Sequence, residues 1–289
     1  MTNDFLDKTV LVTGATKGLG AELAKHFWQL GANLLLLARS QDLLAKLRDE
    51  LYLTKSTHQQ IEIFSVNLAC QDQTEKFIQK IQPKNIDILI NNAAIQGPIG
   101  SVWENDWKEW QETLQVNLLS PVALCRAIVP NMLRQKHGKV INLSGGGAAS
   151  ARPQFSAYAV AKAGLVRFSE ILAEEVKSFH VDVNCVAPGM MNTELLNEIV
   201  KAGHERAGMS EYSRAKQEIE NKNNSFLNVT QLCSFLASPQ SNGMTGKLIS
   251  AVWDPWQTLE NYMNELKESD IYTLRRIIPS DRGKKWGDE

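Results

Sequence analysis

Tyr158 and Lys162 stand four residues apart in the run SAYAVAKAGL (156–165), among small residues and ahead of LVRFSEILAEEV. That pattern predicts a long helix with an apolar stripe, and residues i and i+4 share a helix face, roughly 5–6 Å apart at Cβ. A phenol and an ammonium held that close can exchange protons with a bound substrate. A free tyrosine, with a pKa near 10, is a poor acid–base catalyst at neutral pH. A neighbouring cation stabilises the phenolate, and bringing the pKa to about 7 takes roughly 4 kcal/mol. A partly dry cleft can supply that and an open surface cannot. On its own the pair reads more readily as a buried tyrosine beside a solvated lysine.

The elements that must position the pair alternate from the start of the chain. Near-continuous apolar runs at 9–13, 33–38, 61–66, 86–91, 139–144, 181–187 and 247–251 predict strands. Runs of that kind suit a sheet covered on both faces. Helical patterns separate them, including one from Glu104 to Arg134. The alternation predicts a single-domain α/β fold, a doubly wound parallel sheet of Rossmann type over residues 1–251. Two segments depart from it. Residues 189–226 form a polar insertion after the sixth strand, expected to bury little and to cover a substrate. Residues 252–289 form an extension, with Trp253, Trp256, Tyr262 and Leu266 as its expected anchors on the domain or a neighbouring subunit.

At the exit of the first strand, VLVTGATKGLGAEL sets Gly14, Gly18 and Gly20 before a helix. Glycines there let backbone N–H groups approach a pyrophosphate at a helix N-terminus. An acid often ends the second strand in an NAD site, where it meets the ribose 2′-OH. Here Arg39 follows Ala38, and Lys17 lies inside the glycine loop. Each alone reads as a surface charge as easily as a ligand; together, without the acid, they favour NADP(H).

TGATKGLG, NNAA (91–94), Asn117 in LQVNLLSP, Ser144 in INLSGG, YAVAK (158–162) and APG (187–189) occur in order. In that combination the chain, from residue 8 to about 251, resembles the short-chain dehydrogenase/reductase family, and within it the 3-oxoacyl reductases. The resemblance implies an oxidoreductase acting on a carbonyl or secondary alcohol, with catalytic Asn117, Ser144, Tyr158 and Lys162. It implies a cofactor set of Gly14, Thr16, Lys17, Gly18, Leu19, Gly20, Arg39, Ser40, Asn67, Leu68, Asn91, Ala93, Tyr158, Lys162, Pro188, Gly189, Met191 and Thr193. In that reading Lys162 lowers the pKa of Tyr158 and holds the nicotinamide ribose, while Asn91 and Ala93 lie against the adenosine ribose. Two positions depart from the family pattern: Ala94 where glycine is common, and Asn67 where aspartate is common. Neither belongs to the acid–base set.

The 289 residues carry 31 basic and 32 acidic side chains, a net charge of −1, which points to neither nucleic acid nor an anionic membrane. No uninterrupted apolar run approaches the roughly 18 residues of a spanning helix, and the N-terminus lacks a secretory pattern. The four scattered cysteines predict buried reduced thiols and no metal site. The expected setting is cytoplasmic. Trp103, Trp107 and Trp110, spaced along one helical face, predict core or subunit contact, and the family resemblance implies a homodimer or homotetramer. The expected partner is a small-molecule substrate. Basic residues near the end (Arg275, Arg276, Arg282, Lys284, Lys285) leave a nucleotide sugar as a rival substrate, and a non-catalytic nucleotide-binding protein as a second alternative.

Overall fold

The computed structural model describes residues 5–54, 58–221 and 226–286. Residues 222–225 of the expected insertion and 287–289 of the extension lie outside them. The described chain runs β1 (Thr9–Thr13), α1 (Gly18–Gln29), β2 (Asn33–Ala38), α2 (Gln41–Tyr52), β3 (Ile61–Ser65), α3 (Gln71–Ile81) and β4 (Ile88–Asn91). There follow α4 (Trp107–Leu114), a π-turn (Gln115–Leu119), α5 (Ser120–Gln135), β5 (Gly138–Leu143), α6 (Ser156–Val176) and β6 (Val181–Ala187). Then come α7 (Glu194–Ala207), α8 (Met209–Glu220), α9 (Leu227–Ala237), β7 (Leu248–Ser250) and α10 (Met263–Glu268).

The strands form one sheet in the order β3-β2-β1-β4-β5-β6-β7, each pair parallel. Successive strand side chains point to opposite faces, and the two cores divide along that alternation. Val10, Val12, Leu34, Leu36, Ile88 and Ile90 pack with Leu23 and Phe27 of α1, Leu44 of α2 and Leu232 of α9. Leu11, Leu35, Leu37 and Leu89 pack on the other face with Phe77 of α3, Ile128 of α5 and Leu172 of α6. Burying a side chain such as Phe27, which also meets Phe5 edge-on at 5.2 Å, stabilises by about 1.5–3 kcal/mol. The order reverses between β1 and β4, and the crevice beyond their carboxyl ends is where such sheets bind ligands.

A charged cluster ties the opposite, amino ends of β5 and β6. Lys139 and Asp182 are register partners; the ammonium bonds the carboxylate at 2.7 Å and Ser241 Oγ at 3.1 Å, with both members buried. Burial pushes the Lys139 ammonium down from its ordinary pKa, and Asp182 opposes that shift.

Three expectations need correction. The tryptophan stripe is not core: Trp103 and Trp107 are 82% and 65% exposed, and α4 begins at Trp107, where Asp106 caps it by accepting from Glu109 N at 2.8 Å. The insertion holds a small core, in which Leu196, Ile199, Ala207 and Ala215 bury against Ile99 and Phe155. Trp253 and Tyr262 are exposed, while Trp256, Leu259 and Leu266 join the main core and anchor the extension on its own domain. The helix from Trp107 to Gln135 does reach spanning length and composition, but 56% of its apolar window is buried inside the domain. Cys125, Cys185 and Cys233 are buried and free, with Cys70 half-buried; no metal-binding cluster occurs among the described residues.

Candidate active site

The glycine loop folds into a cradle because bulk is forbidden there. Gly14 and Gly18 have φ of 67° and 49°, and a Cβ on Gly20 would stand 2.0 Å from the Gly14 carbonyl oxygen. The loop is tied on both sides. Ala15 N donates to Leu37 O at the end of β2. Asn92 Nδ2 donates to Thr13 O at 2.9 Å, and Thr13 Oγ1 accepts from the backbone of Asn92 and Ala93. A phosphate-bearing cofactor fits such a cradle, with backbone N–H groups at the start of α1 left free of Cβ bulk. Thr13 and Asn92 were absent from the sequence-derived set, although both lie inside the motifs that flagged the region.

The remaining cofactor candidates divide. Thr16 belongs to the loop and buried Leu19 to the first turn of α1, and Thr193, at the start of α7, comes within 3.2 Å of where a Gly18 Cβ would be. Pro188, Gly189 and Met191 continue from β6 along the cleft. Arg39 is exposed just beyond β2, and Ser40 caps α2 by accepting from Leu43 N. Lys17 is exposed and faces Glu194 of α7 at 3.9 Å. Asn67 Oδ1 accepts from Ala69 N in a turn before α3, and the Leu68 carbonyl accepts from Ser120 Oγ. Asn91 is turned inward: its amide donates to Asn142 Oδ1 at 2.8 Å in the middle of the sheet. Its Oδ1 is buried with no hydrogen-bond partner among the described residues, and Ala93 carries that loop toward Gly14.

The catalytic candidates come together at the carboxyl ends of β4, β5 and β6. Asn117 lies in the π-turn, an irregularity often found at functional sites. Its amide both accepts from Ile95 N (2.9 Å) and donates to Ile95 O (2.8 Å), locking the loop after β4. Lys162 Nζ is buried and donates to Leu143 O at 2.6 Å, at the end of β5. The next residue, Ser144, has a buried Oγ with no hydrogen-bond partner among the described residues. The chain then passes so close to Tyr158 that a Cβ on Gly145 would stand 2.4 Å from the phenolic oxygen.

The electrostatics differ from the expectation that Lys162 lowers the Tyr158 pKa. Burial pushes the phenol above its ordinary value, and the cation that opposes this is Arg152. Lys162 Nζ lies 5.7 Å from the ring centre, held by the strand, and burial pushes its own pKa down to about 8. Arg152 and Gln96 also escaped the sequence reading. Gln96 is buried in the loop after β4, and its Nε2 has no partner among the described residues. Both line a cleft of about 950 Å³ shared by Gly145–Ala151, Tyr158, the β6 loop and α8.

Comparisons with known proteins agree with this geometry. The 3-oxoacyl-[acyl-carrier-protein] reductase FabG of Chlamydia trachomatis is 28% identical over 261 residues, covering 86% of this chain and 98% of that protein. The uncharacterized oxidoreductase YvrD of Bacillus subtilis is 30% identical over 70% of this chain and 75% of its own length. Among solved structures, a metagenomic short-chain oxidoreductase in complex with NADP shares 29% identity at a TM-score of 0.60, covering 65% of this chain and 85% of that one. A xylitol dehydrogenase bound to NAD+ shares the fold at a TM-score of 0.74 and 19% identity, covering 85% of this chain and 98% of that one. The family described as short chain dehydrogenase matches residues 8–203, more than half the sequence. With the cradle, the β5 serine and the Tyr158–Lys162 pair all in the part so matched, the chain belongs to the short chain dehydrogenase family of oxidoreductases.

Proposed function

We propose that the protein interconverts a carbonyl and a secondary alcohol with NADP(H), using Tyr158 as the proton donor and acceptor. The observation that carries this reading is the unpartnered, buried Ser144 Oγ one residue before the backbone that passes the phenol of Tyr158, which itself lines a cleft that adjoins the glycine cradle. A buried hydroxyl without a partner costs about 1–3 kcal/mol, and a substrate oxygen would satisfy it. When bound, the nicotinamide would supply or accept the hydride. Ser144 would donate to the substrate oxygen, and Tyr158 would deliver the proton in reduction or take it in oxidation. Lys162, pinned to Leu143 O, would hold the cofactor ribose, and Asn117 keeps the facing loop in place through Ile95. The α7–α8 insertion would close the substrate end of the cleft.

Arg39 and Lys17 support NADP(H) over NAD(H), since both are exposed cations beside the cradle. NADPH is expected to bind at least about tenfold tighter than NADH, because one charge-assisted contact contributes about 1.5–3 kcal/mol. Fluorescence titration of both cofactors checks this, and Arg39→Asp should erase or invert the ratio. Equal dissociation constants in the unaltered protein would sink the assignment. The activity itself is tested by supplying NADPH with a panel of ketones, 3-oxoacyl thioesters and oxidised nucleotide sugars, and NADP+ with the matching alcohols. Turnover of none of them would leave the nucleotide-binding, non-catalytic reading. The nucleotide-sugar reading loses one support, since Arg275 pairs with Asp270 and Asp281 inside the extension. The Arg275 hydrogen bond and a backbone bond from Ile278 hold the Asp281 carboxyl down at about 2.

A cytoplasmic homodimer or homotetramer completes the proposal. Trp107 and Leu119, around α4, and Val160 and Ile171 on α6 are half-exposed or more, apolar surface of the kind subunits cover. Light scattering at micromolar concentration should give twice the chain mass or more; a monomer would count against it.

A further inference from the structure

Arg152 connects two parts of the cleft that have no sequence proximity. It lies in the loop after β5, with its guanidinium 3.9 Å from the centre of the buried Phe155 ring and 5.8 Å from that of Tyr158. Its Nε and Nη2 both donate to one carboxylate oxygen of Glu211, at 3.2 and 2.7 Å. Glu211 belongs to α8, on the far wall of the cleft, and the two side chains are only 13% and 19% exposed. A Cβ on Gly147 would stand 3.2 Å from the Arg152 Cβ, and one on Gly146 would stand 3.6 Å from its Cδ.

We propose that Arg152 is a positioning residue for the acid–base step, tying α8 across the cleft through Glu211 and setting how much positive charge the Tyr158 phenol meets. The proposal rests on the reading of Tyr158 as the acid–base group. Among the described residues, the charged and titratable groups around that phenol are few. Lys162, on the same helix, is held by the Leu143 carbonyl, with Cys185 of β6 beside it. Arg152 approaches from the β5 loop. Behind it on α8 stand Glu211 and Arg214, the latter 3.8 Å from the second carboxylate oxygen, and Glu218 lines the same wall. Among the described residues Arg152 is thus the cation on the open side of the ring, and Glu211 offsets part of its charge. A substrate that draws Glu211 away would leave the phenol facing a fuller positive charge.

The signs follow from Coulomb's law. Removing the guanidinium withdraws stabilisation from the phenolate, so the Tyr158 pKa rises. Neutralising Glu211 leaves the guanidinium uncompensated, so the pKa falls. A purely mechanical clamp would make the two variants behave alike, because either one loosens α8.

The test is a titration of the ring resonances of carbon-13-labelled tyrosine in the full chain without substrate, with Tyr158→Phe to assign the signal. Arg152→Met is expected to raise the Tyr158 pKa by about one unit, and Glu211→Gln to lower it by about half a unit. Arg152→Lys should stay near the unaltered value, because the charge is retained. Glu211→Gln keeps the shape and an accepting oxygen, so it reads charge even if Arg152→Met does not fold. Shifts of the same sign in Arg152→Met and Glu211→Gln, or no shift in Glu211→Gln, would overturn the proposal. Because no substrate is needed, opposed shifts in a protein that turns nothing over would remove the acid–base reading and leave the charge coupling standing.

Discussion

Tyr158→Phe is expected to lower the turnover number about a thousandfold while leaving cofactor affinity within about twofold. Positioned general acid–base groups contribute about 10²–10⁴ in rate, and the substitution deletes one such hydroxyl and nothing else. Tyr158 is buried on α6, and phenylalanine fills the same space. Thermal stability should therefore hold. Lys162→Ala makes the contrast: it strips the Leu143 carbonyl of its 2.6 Å partner and should weaken both turnover and cofactor binding. Steady-state kinetics with parallel cofactor titrations separates the two. A Tyr158→Phe protein that keeps a tenth of the normal rate would remove the phenol from the mechanism. The pH dependence has a definite sign. Burial keeps the phenol protonated to higher pH than an ordinary tyrosine, so carbonyl reduction should persist across the neutral range. Alcohol oxidation needs the phenolate, and its rate should climb as pH rises.

Asp182→Ala should cost about 3–5 kcal/mol of folding stability, since it leaves the Lys139 ammonium buried without its counter-charge. The Gly243 N–H loses its acceptor as well. For a domain of this size that corresponds to a fall in Tm of roughly 10 °C. Lys139→Met with Asp182→Leu should recover most of the loss, because a matched apolar pair carries no desolvation penalty. Thermal or urea unfolding provides the readout. The cluster lies at the amino ends of β5 and β6, away from the cleft, so molecules that remain folded should work at the normal rate. A loss below about 1 kcal/mol would mean that water reaches Lys139 and that the pair is no part of the core.

The strands were legible because a sheet covered on both faces demands unbroken apolar runs, and Leu34 to Leu37 cannot be read as anything with one wet face. The glycine cradle and the Tyr158–Lys162 spacing were legible for a related reason, since each is a local arrangement set by a few neighbouring residues. What could not be read depends on chain segments far apart. Arg152 and Glu211 are 59 positions apart, and nothing local marks them as partners. Leu196 and Ile199 sit in a polar stretch, and the surfaces that bury them, Ile99 and Phe155, come from other loops. Asn91 entered the cofactor set through the family resemblance, which carries no information on the neighbouring strand, where Asn142 takes its amide nitrogen. For Trp107 the choice between core and subunit contact stayed open, because helical periodicity identifies a common face without saying what that face meets.

The π-turn at Gln115–Leu119, where Ser120 N reaches back five residues to Gln115 O, amounts to one surplus residue within a helix. Each residue of a regular helix rotates the chain by about 100°, so the surplus dephases the two stretches it joins by that angle. Upstream, Trp110 Nε1 is aimed at Ser156 Oγ; downstream, Leu124, Ile128 and Met132 are aimed at the sheet. Deleting any one of the five residues would restore ordinary phase, and one of the two faces would then swing off its partner along with the grip of Asn117 on Ile95. Length is therefore more tightly constrained here than composition. When relatives are aligned, a one-residue gap in this segment would identify a protein whose β4 loop is held by other means, however similar the rest of its sequence.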